Sequence, residues 1–131
     1  MAPPGAQTTA PPGYAPLVSL HLASNRPDQL AGFFENIERT VAEPSSVEIL
    51  VKIDDGDARM AALTAAEAQK RLYPIRVVSL PREEGYFSLW KAYNALWQHT
   101  HPAAYFTAVL NDEVRFETPN WDAVLRNYVG F

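Results

Sequence analysis

Two rhythms of apolar residues alternate along the chain. Leu17–Ala23, Val47–Ile53, Ile75–Leu80 and the run from Tyr105 to Leu110 are short, nearly continuous and rich in β-branched or aromatic residues. Such runs predict strands, and the last has the composition of a strand buried on both faces. Between them the apolar positions recur every three or four residues. Leu30, Phe33, Phe34, Ile37 and Val41 form the stripe of a first helix, opened by Pro27 with Asp28 at the positive end of its dipole. Ala-rich residues from about Ala58 to Leu72 predict a second helix, with Asp57 as its N-cap and Pro74 as its stop. Leu89, Trp90, Tyr93, Leu96 and Trp97 mark a third, and Trp121, Val124, Leu125 and Tyr128 a last one from about Asn120. Strand and helix alternate throughout. The pattern predicts an α/β fold, a mostly parallel open sheet with helices on both faces.

Composition narrows this picture. The 131 residues suit one domain, and 47% hydrophobic with 20% charged residues is ordinary for a globular protein. Residues 1–16 differ: Pro3, Pro4, Pro11, Pro12 and Pro16 with Gly5 and Gly13 predict a disordered tail, leaving 17–131 as the folded domain. That tail lacks the basic start and apolar core of a secretion signal. No apolar run is long enough to span a bilayer. The absence of cysteine excludes disulfides and thiolate chemistry and fits a reducing, cytoplasmic setting. A net charge of −4 argues against nucleic acid as a partner.

The candidate chemistry lies where two strands run straight into acids. One ends in Asp54-Asp55-Gly56-Asp57, the other in Asn111-Asp112-Glu113. In a parallel sheet both groups fall on one rim, at the carboxyl edge where open α/β sheets bind ligands. Adjacent carboxylates on a turn, Asp112 and Glu113, are placed to share a divalent cation and through it a phosphate. The plainer alternative is that such residues only cap the turn. Plain readings also serve elsewhere. His21 inside a strand reads as a satisfied core residue, and His99 and His101 as cations favouring a helix C-terminus. Trp90, Tyr93 and Trp97 read as core packing, and Arg82 as a solvated loop residue.

Four short motifs follow in order on these elements: Ala23-Ser24-Asn25-Arg26-Pro27, Ile53-Asp54-Asp55-Gly56, Pro81-Arg82-Glu83-Glu84-Gly85-Tyr86, and Leu110-Asn111-Asp112-Glu113 followed by Thr118-Pro119-Asn120-Trp121-Asp122. From Leu17 onward they make the chain resemble the nucleotide-binding half of inverting glycosyltransferases of family 2, which have the GT-A, Rossmann-like fold. The resemblance implies a nucleotide-diphospho-sugar donor and an acceptor hydroxyl on a glycan or another molecule. It places nucleotide contacts at Ala23, Asn25, Arg26, Asp54, Asp55 and Asp112. One of Asp54 and Asp55 would accept a hydrogen bond from base or ribose, and Asp112 would meet the ribose or donor sugar. Glu113, with Asp112, would hold Mn²⁺ or Mg²⁺ in a DxD-like motif. In the family a further stretch supplies the acceptor site and catalytic base. No residue here is nominated as base, so the expectation is a fragment of a longer protein or a non-catalytic nucleotide-sugar-binding module. Exposed helix faces on such a core would favour self-association. A sugar nucleotidyltransferase would want a glycine-rich loop after the first strand, which Ser24-Asn25-Arg26 lacks. A phospho-receiver domain would carry its acid pair after the first strand instead.

Overall fold

The computed structural model describes residues 6–7, 15–85 and 88–130. Four parallel strands form the sheet: β2 (Val18–Ala23), β3 (Val47–Asp54), β4 (Ile75–Leu80) and β5 (Phe106–Val109). A two-residue strand, β1 (Ala6–Gln7), pairs antiparallel with β4 on the far edge, giving the order β1-β4-β3-β2-β5. Residues 1–5 and 8–14, most of the tract expected to be disordered, lie outside the described residues. The helices are α1 (Pro27–Thr40), α2 (Ala58–Lys70), α3 (Leu89–Gln98) and α4 (Trp121–Arg126). Among the described residues no helix is long and apolar enough to cross a membrane.

Strand periodicity divides the sheet into two unlike faces. On one, Val18, Leu20 and Leu22 of β2 line up with Val47, Ile49 and Val51 of β3. Leu30, Phe33, Phe34 and Ile37 of α1, Met60 of α2 and Trp121 of α4 close over them in one apolar core. The predicted stripe of α1 is buried throughout, and the Asp57 carboxylate caps α2 by accepting from the Met60 N–H at 3.1 Å. The last segment is tied down by polar contacts. Asn36 exchanges two hydrogen bonds with the Phe116 backbone, and buried Asp122 accepts from the Ala42 and Glu43 N–H groups and from Ser46 Oγ. Burial alone would raise the pKa of Asp122, but these donors outweigh it and hold the carboxyl below its usual value.

The other face is polar, and among the described helices α3 covers it. Leu50, Val78 and Leu96 make a small apolar patch. Around it Glu48 accepts from Arg76 at 2.7 Å and from the His101 N–H at 2.9 Å. His21 Nε2 meets Ser19 Oγ at 2.9 Å and Thr100 Oγ1 at 3.3 Å, as a satisfied core residue should. Burial lowers its pKa to about 4, so it stays neutral. Burial also lowers His99, followed by the Arg76 charge, which disfavours the cationic capping role expected from its place at the end of α3.

Two sequence expectations fail on this side of the sheet. Trp90 and Trp97 are not core residues but 58% and 62% exposed, and only Ala92 and Leu96 of α3 are buried. β5 is not buried on both faces. It is an edge strand, and its Val109, level with His21, is 62% exposed. A buried strand and a one-sided edge strand share an apolar composition, so the pattern does not distinguish them.

Candidate functional site

The strand ends bring the acids together. Leu110 N–H donates to His21 O at 2.8 Å, and Ser24 N–H donates to Lys52 O at 3.1 Å, so β5, β2 and β3 finish side by side. Asp54 and Asp112 therefore stand on one rim with the β2–α1 turn between them. Gly56, at φ +77°, makes the turn after β3 in a backbone region open to glycine. A cleft of about 800 Å³ opens over this rim. Ala23, Asn25, Arg26, Lys52, Asp54 and Asp112 line it, together with the 82–85 loop and Ser88, Leu89 and Tyr93. Five of the seven residues expected to bind nucleotide or metal thus share one cavity. Asp55 is exposed and lies outside its lining, as does Glu113. Tyr86 of the loop motif lies outside the described residues. Arg82 is exposed, as expected, but borders the cleft.

The charges at the rim are paired. Asp112 is 4% exposed; Ser24 Oγ donates to its Oδ2 at 2.6 Å and Arg26 Nε donates to the same oxygen at 3.2 Å. Arg26 Nη2 donates to the other oxygen, Oδ1, and Nη1 donates to Glu113 Oε1 at 2.8 Å. One guanidinium therefore spans both acids of the DxD-like motif, a fork geometry that arginine supplies and lysine does not. The hydrogen bonds from Arg26 to Asp112 and Glu113 hold its pKa above even the usual arginine value. On β3, Lys52 Nζ meets Asp54 Oδ1 at 2.6 Å. The turn-capping role falls to Asn111, whose Oδ1 accepts from the Glu113 N–H at 2.9 Å.

The donor chemistry can be tested against a metal ion. Among the described residues no group of three or more His, Cys, Asp or Glu side chains is placed to hold one. Yet the carboxylates of Asp112 and Glu113 reach a single positive centre, the Arg26 guanidinium, which stands in for a cation between them. Oxygen donors suit Mg²⁺ or Mn²⁺, which keeps waters and phosphate oxygens in its other positions. Asp112 and Glu113 are two such donors, and both are engaged by Arg26.

Three residues of the site escaped the sequence reading. Ser24 is the hydroxyl donor to Asp112, contributed from a turn valued only for its motif. Lys52 precedes Asp54 by two positions, which puts both on one side of the strand; that spacing was a legible signal. Tyr93, read as core packing, donates from its OH to Leu110 O at 2.6 Å and so ties α3 to the end of β5. Burial raises its pKa, which keeps it a proton donor. No protein-family model matches the chain, and no curated protein sequence matches it.

Proposed function

We propose that the chain is the sugar-nucleotide-binding domain of a metal-dependent glycosyltransferase of the GT-A, family 2 type. It would bind a nucleotide-diphospho-sugar and pass the sugar to an acceptor hydroxyl. The observation that carries the reading is the convergence of two acid-ended parallel strands on one rim, beneath a cleft of about 800 Å³. Ligands of open α/β sheets bind there. The leaving group of the transfer is a nucleoside diphosphate, whose growing negative charge needs positive charge in fixed places. Arg26, Lys52 and Arg82 border the cleft beside the acids Asp54, Glu83, Glu84 and Asp112, and Arg26 and Lys52 would supply it by leaving their ion pairs. Mn²⁺ or Mg²⁺ on Asp112 and Glu113 would add neutralisation of the diphosphate when bound. Asp54, lining the cleft, suits a hydrogen bond from a base or ribose, and Ala23 and Asn25 offer close backbone and amide contact at the β2–α1 turn. A second reading, a non-catalytic nucleotide-sugar-binding module, draws support from the ion pairs at Asp54 and Asp112, which leave neither poised as a general base.

Calorimetry with a panel of sugar nucleotides, with and without Mn²⁺, tests the shared premise. Metal-enhanced binding of at least one donor is expected, and Asp112→Asn combined with Glu113→Gln should abolish that enhancement in a folded protein. Unchanged affinity in the double variant would count against both readings. Donor hydrolysis by the unaltered chain separates the enzyme from the binding module.

A further inference from the structure

A buried carboxylate rarely keeps an exposed partner without consequence. Asp112 is almost wholly buried, yet its cation arrives on a side chain that is 47% exposed and projects from the turn before α1. The same guanidinium holds Glu113 and lines the cleft together with Asp112. Arg26 therefore has two possible sets of partners: the acid pair, or an anion in the cleft that it lines. Its five N–H donors form a fixed planar fork, so satisfying one set fully leaves fewer donors for the other. Ser24 Oγ keeps one hydrogen bond to Asp112 when Arg26 is drawn away, which limits the loss to the buried acid.

We infer that Arg26 is an exchangeable counter-cation: it occupies the acid pair when the cleft is empty, and a divalent cation enters only as Arg26 turns toward an anionic, diphosphate-bearing ligand. The inference rests on the proposed metal site and adds a regulation to it. Cation and anion binding are then linked, because each favours the same position of Arg26, and such linkage is reciprocal. A divalent cation alone binds weakly, since it competes with a covalently tethered guanidinium held by charge-assisted hydrogen bonds.

The test is Mn²⁺ alone, titrated against the full chain and followed by electron paramagnetic resonance of the free ion. Arg26→Gln should bind Mn²⁺ at least about ten-fold more tightly than the unaltered chain, the effect of removing a competitor worth one charged hydrogen bond. Arg26→Lys, a point charge that cannot fork both acids, should fall between the two. Circular dichroism establishes that each variant is folded; should Arg26→Gln unfold, Arg26→Lys carries the comparison and must still bind Mn²⁺ more tightly than the unaltered chain. Equal or weaker Mn²⁺ binding by the folded variants overturns the inference, while Mn²⁺-enhanced binding of a sugar nucleotide that needs Asp112 and Glu113 would leave the metal site standing. Absence of Mn²⁺ binding in every protein, with or without a sugar nucleotide, removes both together.

Discussion

The two faces of the sheet are built on the same four parallel strands but from opposite materials. One carries valine, leucine and isoleucine under three helices, and its side chains are sealed from water. The other carries Ser19, His21, Glu48, Lys52 and Arg76 around a three-residue apolar patch, under one helix. Burial of a large apolar side chain stabilises by about 1.5–3 kcal/mol, whereas a paired charge gains little net against its own desolvation. The first face therefore supplies most of the stability. The second face supplies chemistry: Lys52 and Asp54 leave it at the rim, and Tyr93 of its covering helix walls the cleft. A site that must expose charge to a ligand is better placed where the packing is already polar.

This contrast can be broken in measurable ways. On the apolar face, Phe33→Ala should destabilise most, by about 3–5 kcal/mol from lost transfer energy plus cavity, seen as a lower urea midpoint at unchanged slope. On the polar face, Glu48→Ala should cost about 3 kcal/mol by stranding the Arg76 guanidinium and the His101 N–H. Replacing Glu48 and Arg76 together by Met and Leu should recover most of that loss; a double variant no more stable than Glu48→Ala would show that the pair itself stabilises the fold. Asp122→Ala should cost about 1–3 kcal/mol, because three donors, one of them the buried Ser46 hydroxyl, lose their acceptor.

Acid should separate the faces further. His21 is neutral when folded, with a pKa near 4, while its unfolded value is 6.5. Between these values the unfolded chain binds more protons, so stability present above pH 6.5 is lost as pH falls toward 4. His99, lowered in the same direction by burial and Arg76, adds to this slope. Asp122, held below its ordinary 3.8, withdraws its own contribution only at still lower pH. His21→Gln should flatten the pH 4–6.5 limb of the urea-midpoint profile. An unaltered profile would mean that His21 is not the group that titrates. The smallest effect belongs to Trp97→Ser, about 0.5 kcal/mol or less, since the ring packs against little.

Much of the architecture was legible because period and punctuation are local. The run Ile75–Leu80 is the strand β4 residue for residue, α1 begins at Pro27, and Asp57 caps α2. The placement of acids after β3 and β5 was legible for the same reason, as was their common rim, which follows once strands alternate with helices. The aromatic positions of α3 misled because helical spacing records a stripe and not whether anything covers it; Trp90 and Trp97 face outward. Likewise nothing local told that Arg26 would fold back onto residues 86 and 87 positions away.

The order of residues by itself determined the four parallel strands to within a residue at each end, and that carboxylates follow two of them. Backbone preference and side-chain periodicity act over a few residues, so they can be read without knowing the neighbours. Which strand lies at an edge, which aromatic is left bare and which cation answers Asp112 were decided only by the tertiary structure. Those outcomes depend on the sheet order and on distances across it, and groups far apart along the chain acquire them only when it closes.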